Sequence, residues 1–186
     1  SAVVEQAAKA EGAKIIVSDI DQARVKKCHD QFGVEVVAPD AILGVDCEIQ
    51  APCALGAVVN DNTITQFKCK VIAGGANNQL AETRHGEALR ELGILYAPDY
   101  VVNAGGLMNV FVELEGYSPE RAFEKTRKVY DNVKKVFEIA KRDNIPTNIA
   151  ADRSAEERIA TIGRLKQRHP GKSNRAFTTL REVNNR

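Results

Sequence analysis

Four short stretches carry side chains suited to gripping a flat, polar ligand. Asp19 follows the apolar run Ala13-Lys14-Ile15-Ile16-Val17 almost directly. A carboxylate at a strand end can accept hydrogen bonds from adenosine ribose hydroxyls, and it repels the extra phosphate of NADP. Such an acid also caps helices, so the position alone leaves both roles open. Ala73-Gly74-Gly75-Ala76-Asn77-Asn78-Gln79 joins two glycines to a pair of amides. Each amide offers a donor and an acceptor, which suits a carboxamide or a ribose. Gly and Asn equally suit a turn at positive φ. In Asn103-Ala104-Gly105-Gly106 the glycines let a helix begin close to a ligand, or let two helices pack closely. Leu107, Met108 and Val110 follow, apolar enough to line a side-chain pocket.

The fourth stretch, Ala51-Pro52-Cys53-Ala54-Leu55-Gly56, allows a backbone to approach a ring or ribose. Cys53 has no His or cation nearby in sequence to lower its pKa. It reads as a small packing residue rather than a nucleophile.

These stretches sit where an alternating pattern puts the ends of strands. Short apolar runs at 13–17, 34–37, 47–51, 70–73 and 94–96 alternate with helical stretches. Asp21 is placed to cap a helix over 22–32, closed by Gly33. A helical turn is expected over 63–67 and a helix over 82–92. The fold class is α/β, a Rossmann-like and mostly parallel sheet. Strands of such a sheet are buried on both faces, and its ligands bind at their carboxyl ends. Residues 2–11 read as the end of a helix stopped by Gly12.

Beyond residue 103 the chain turns helical. Ser118-Pro119-Glu120 is a helix start, and Ala122, Phe123, Thr126, Val129, Tyr130, Val133, Val136, Phe137 and Ala140 form one apolar stripe. A further helix is expected over 152–165. Segment 164–186 carries seven basic residues against Glu182, which makes it +6 while the rest of the +1 chain is −5. It reads as a solvated tail or an arm for a partner subunit. The division is therefore 1–163, a dinucleotide-binding domain with C-terminal helices, and 164–186, a basic tail.

Composition narrows the function classes. Of 186 residues, 44% are hydrophobic and 27% charged, as in globular chains. No apolar run approaches the roughly 20 residues of a membrane span. A net charge of +1 and a tail with one aromatic, Phe177, argue against a nucleic-acid partner. Cys28, Cys47, Cys53 and Cys69 form no C-x-x-C pair, and His29, His85 and His169 complete no zinc spacing. The expectation is reduced thiols, no bound metal, no signal peptide and a cytoplasmic protein.

One gap stands out. A glycine fingerprint lies about 20 residues before an acid such as Asp19. That count reaches Ser1, so the first strand and its G-x-G turn are expected to be missing. A sheet lacking this strand would show an unpaired edge and apolar surface.

The chain resembles the glutamate/leucine/phenylalanine/valine dehydrogenase family. The matching words are Gly12 to Ile20, Ala51 to Gly56, Val71 to Leu80, Ala97 to Gly106 and Ala150 to Ile159. They appear in order at fitting spacings and cover about residues 1–165. The resemblance implies NAD-dependent oxidative deamination of an L-amino acid to a 2-oxo acid and ammonia. It implies that Asp19 and Ile20 hold the adenosine ribose end and that Cys53 and Ala54 line the dinucleotide site. Ala76 and Asn77 would face the nicotinamide ribose and the substrate, with Asn103 at the nicotinamide end. Asn77, Leu107 and Val110 would form this chain's part of the substrate pocket, whose apolar lining favours branched-chain amino acids. The family's lysines and proton-shuttling acid lie in a separate N-terminal domain, so no catalytic residue is assigned here. The chain is expected to be a C-terminal fragment, inactive alone, of a homo-oligomeric enzyme. The alternatives are a non-catalytic nucleotide-binding or assembly module of the same fold, and an unrelated Rossmann oxidoreductase.

Overall fold

A computed structural model describes residues 11–114 and 116–168. The expected helix over 2–11 and the basic tail beyond residue 168 lie outside the described residues. The elements run β1 (Ile16–Val17), α1 (Gln22–Phe32), β2 (Glu35–Val36), β3 (Asp46–Gln50), β4 (Lys68–Ile72), α2 (His85–Glu91), β5 (Leu95–Tyr96), α3 (Asp99–Val102), α4 (Gly105–Leu114), α5 (Pro119–Asp143) and α6 (Thr147–Arg168). Short 3-10 turns occupy Ile42–Gly44 and Ile64–Gln66.

Every strand pairing is parallel, as the alternating pattern requires. The strands form two ladders rather than one sheet: β1-β2 and β3-β4-β5. In the doubly wound order 3-2-1-4-5-6 these match the flanks 3-2 and 4-5-6. β1 and β3 each keep an edge without a ladder partner among the described residues. Among the described residues no strand joins the two ladders.

Burial departs from the expectation that all strands are covered. β4 and β5 supply Cys69, Ile72 and Tyr96 to a core with Val59, Ile64, Phe67, Leu89 and Ile94. Ile72 and Leu89 are fully buried. On β3, by contrast, Ile49 is 61% exposed, and both residues of β2 are exposed. The apolar run predicts capacity for burial, and a strand without a neighbour on one side lacks the surface that would use it.

The helices begin and end for local reasons. Asp21 Oδ1 accepts the N–H groups of Ala23 and Arg24, and Gly33 closes α1 in the left-handed conformation at φ +64°. Ser118 caps α5 with Pro119 in its first turn, and Asn144 ends it at φ +52°. α2 starts at His85, not at residue 82, because the preceding residues form turns of their own. α6 starts at Thr147, five residues earlier than the pattern indicates, directly after Pro146.

The stripe on α5 is a partial success. Ala122 and Val136 are buried, and Val136 and Ile139 form a second core with Ala150 and Ala151 of α6. Phe123 and Tyr130 are not: Tyr130 is 73% exposed. They lie on one line seven residues apart, where α5 has no covering neighbour among the described residues.

Candidate functional site

The carboxyl ends of β3, β4 and β5 lie side by side, because their strands are parallel and in register. Three loops therefore meet. The loop after β4 presses against the loop after β3 so closely that only glycine fits. A Cβ on Gly74 would stand 2.0 Å from the Pro52 carbonyl oxygen, and one on Gly56 would stand 2.8 Å from that of Asn77. Backbone bonds stitch the same seam: Ala76 N–H donates to Pro52 (3.0 Å) and Ala57 N–H to Asn78 (2.6 Å). Ala57 and Asn78 both take left-handed φ, +55° and +53°. Cys53 Sγ accepts the Gly75 N–H at 3.5 Å.

The third loop follows β5. Tyr96 O–H donates to buried Asp99 (3.1 Å) and accepts that residue's N–H (3.2 Å), which fixes the start of α3. Burial pushes the Tyr96 phenol above its ordinary range, so it remains a donor. Asn103 ends α3, and its Nδ2 donates to Asn77 Oδ1 at 2.5 Å. Two amides 26 positions apart thus become one hydrogen-bonded unit beside Gly74 and Gly75. α4 departs immediately after it, with Leu107 and Val110 exposed three residues apart on one face.

Cys53, Ala76, Asn77 and Asn103 accordingly form one cluster. Cys53, Ala54 and Asn77 are exposed and Asn103 half-buried, whereas Ala76 is buried. Asp19 and Ile20 belong to the other ladder, and no hydrogen bond links them to this cluster. Asp19 Oδ1 accepts the Asp21 N–H (2.9 Å) in a local turn, and Asp21 rather than Asp19 caps α1. Ile20 is exposed, and Ser18 Oγ is buried without a partner.

Two groupings have no counterpart in the sequence reading. Asp61, Glu82 and His85 converge with the composition of a metal donor set. Arg84, however, binds Asp61 through both terminal nitrogens (2.8 and 2.6 Å) and Glu82 through Nε (2.9 Å). Buried His85 accepts the Glu82 N–H on Nδ1, so Nε2 carries the proton toward Asp61 at 3.2 Å. The guanidinium already occupies both acids as an ion-pair partner, and the hydrogen bonds of Arg84 and His85 hold Asp61 down to about 2. The grouping is an ionic clip. The second grouping ties α6 down. Tyr100 O–H contacts the Asn148 carbonyl (3.0 Å) and Asp152 (2.9 Å), and Asn148 Nδ2 donates to the Thr83 carbonyl (3.1 Å). These partners lie 48 to 65 residues apart, and no local spacing announces them.

The Glutamate/Leucine/Phenylalanine/Valine dehydrogenase family model matches residues 4–162. The chain belongs to this family. It is 60% identical over 152 residues to leucine dehydrogenase of Geobacillus stearothermophilus, covering 82% of this chain and 41% of the relative. It is 47% identical over 153 residues to phenylalanine dehydrogenase of Thermoactinomyces intermedius, covering 81% and 42%. Among solved structures it superposes on L-tryptophan dehydrogenase of Nostoc punctiforme with TM-score 0.80 and 45% identity, covering 81% of this chain and 45% of that one. The chain thus spans less than half the length of these relatives. Members of amino-acid dehydrogenase families typically use a nicotinamide cofactor. The strand-end loops of this chain fit such a group through the exposed amide of Asn77, the half-buried amide of Asn103 and the unpartnered Ser18 Oγ.

Proposed function

We propose that this chain is the cofactor-binding part of an NAD-dependent amino-acid dehydrogenase. The reaction is oxidative deamination of L-leucine, or another branched-chain L-amino acid, to the 2-oxo acid and ammonia. The observation that carries the proposal is the Asn77–Asn103 amide pair set beside a glycine seam at parallel strand ends. The 60% identity to a leucine dehydrogenase favours a branched-chain substrate over an aromatic one.

NAD, when bound, accepts the hydride released from the substrate α-carbon. The residues of this chain bind and orient. Asp19 has one carboxylate oxygen committed to its local turn and uses the other for the adenosine ribose. Ile20 supplies an apolar flank there, while Cys53 and Ala54 line the middle of the cleft. Ala76 shapes the backbone from beneath, and Asn77 and Asn103 present amide groups at the nicotinamide end. Asn77, Leu107 and Val110 are this chain's share of the substrate pocket.

The groups that move protons belong to another domain of the complete polypeptide, and the chain alone is inactive in hydride transfer. The complete enzyme is a cytoplasmic homo-oligomer. Among the described residues no helix is long and apolar enough to cross a membrane, and Cys28, Cys47, Cys53 and Cys69 form no disulfide. Exposed Phe123, Tyr130 and Ile49 offer apolar area for subunit or domain contacts.

The test is NADH titration of the complete polypeptide, followed by a panel of L-amino acids with NAD. Saturable NADH binding with branched-chain substrates giving the highest kcat/KM is expected. Absence of NADH binding refutes the cofactor role. A preference for phenylalanine or tryptophan refutes the substrate assignment alone.

A further inference from the structure

Gln79 is fully buried, yet its amide is not part of any helix, strand or apolar cluster. Its Nε2 donates to the carbonyls of Gly74 (2.7 Å) and Ala76 (3.0 Å), both in the loop after β4. Both partners are acceptors, so the amide must present its two hydrogens to them. Its Oε1 is then turned away, buried and without a partner. A buried amide that leaves its own oxygen unpaired to hold two carbonyls constrains the loop more than it stabilises itself.

The consequence follows from peptide geometry. In a trans peptide the C=O and the following N–H point in opposite directions, and no peptide here is cis. Turning the Gly74 carbonyl inward turns the Gly75 N–H outward, where it meets Cys53 Sγ. Turning the Ala76 carbonyl inward likewise turns the Asn77 N–H outward. That N–H has no acceptor among the described residues, and it leaves the fold beside the exposed Asn77 side chain.

We infer that Gln79 is a positioning residue that, by holding the Ala76 carbonyl inward, aims the Asn77 backbone N–H at the nicotinamide half of the cofactor. The inference rests on the cofactor-binding role proposed above. Gln79 touches no cofactor itself. It sets one donor, and the Asn77–Asn103 pair sets the side chain next to it.

The test compares two ligands on the complete polypeptide. NADH carries the nicotinamide half and ADP does not. Gln79→Met keeps the length and near-volume of the side chain but removes both donors. Isothermal titration is expected to show NADH binding weakened about tenfold, the loss of one hydrogen bond to a ligand, with ADP affinity within about twofold of the parent. NADH and ADP weakened alike would make Gln79 a general structural residue, and an unchanged NADH affinity would leave it without this role. Either result overturns the inference while leaving the cofactor role intact. A parent protein that binds neither ligand overturns both. If Gln79→Met does not fold, hydrogen exchange at the Asn77 amide of the parent protein decides. Slowing by NADH but not by ADP supports the inference, and equal slowing or none defeats it.

Discussion

The loop after β4 and the loop after β1 both end parallel strands, and both are assigned to the same dinucleotide, yet they are built in opposite ways. The β4 loop is fixed by distant partners. Pro52, Ala57 and Asn103 approach from other parts of the chain, and Gln79, three to five residues on, adds a local tie. The β1 loop is fixed by its immediate neighbours, Asp19 holding the N–H of Asp21 and Asp21 capping α1. A loop of the first kind holds atoms at set positions, as a reacting ring requires. A loop of the second kind needs only to recognise, and it tolerates local adjustment.

The hardest blow to this contrast is Gly74→Ala. The new methyl would overlap the Pro52 backbone, which has no flexible end to move. We expect destabilisation of about 3 kcal/mol in urea unfolding, with NADH binding lost as the seam opens. Gly106→Ala, where a Cβ meets open space, is the control. If the two variants unfold alike, the seam is not tight.

Asn103→Ala leaves the seam closed and removes only the amide partner of Asn77. A roughly tenfold weaker NADH complex is expected, with an unchanged melting temperature. An unchanged NADH affinity would separate the amide pair from the ligand. On the other loop, Asp19→Ala should weaken NAD by about fivefold and NADP less, because the lost carboxylate also repelled the extra phosphate. Equal weakening of both would reduce Asp19 to a turn residue.

The smallest effect concerns the Asp61–Arg84–His85 clip, which lies outside both loops. Its carboxylate is depressed from 3.8 to about 2 in the folded protein. Such a group contributes stability in full above its unfolded value, and that contribution fades as pH falls toward the folded one. Parent and Asp61→Asn should therefore differ in melting temperature at neutral pH and converge between pH 3.8 and about 2. The gap is expected to be small, because the pair is exposed and screened. A gap that widens on acidification would contradict the assignment.

The sequence showed the contrast only in part. Strand positions and the helix start at Ser118 were legible because each depends on residues within a few positions; the Asn77–Asn103 hydrogen bond, 26 positions long, was not. What stayed hidden depends on burial or on distant partners. Gln79 looks like an ordinary residue after two asparagines until the fold buries it under Gly74 and Ala76. Asn148 looks like a helix-start residue, yet it bonds to Thr83, 65 positions earlier. Phe123 and Tyr130 show the converse error. Their spacing marks a face able to be buried, but spacing cannot say whether anything covers it.

The tie at the start of α6 has a mechanical side. Tyr100 of α3 grips the first turns of α6, and α3 ends at Asn103, whose amide holds Asn77. α6 has 22 residues, roughly 33 Å of rod at 1.5 Å per residue. A rod pinned at one end is a lever. A lateral force on its far end arrives as torque at Tyr100, three residues before Asn103 of the amide pair. Whatever the rod's far end presses on is thereby geared to the strand-end loops, with the hydrogen bonds of Tyr100 as the fulcrum.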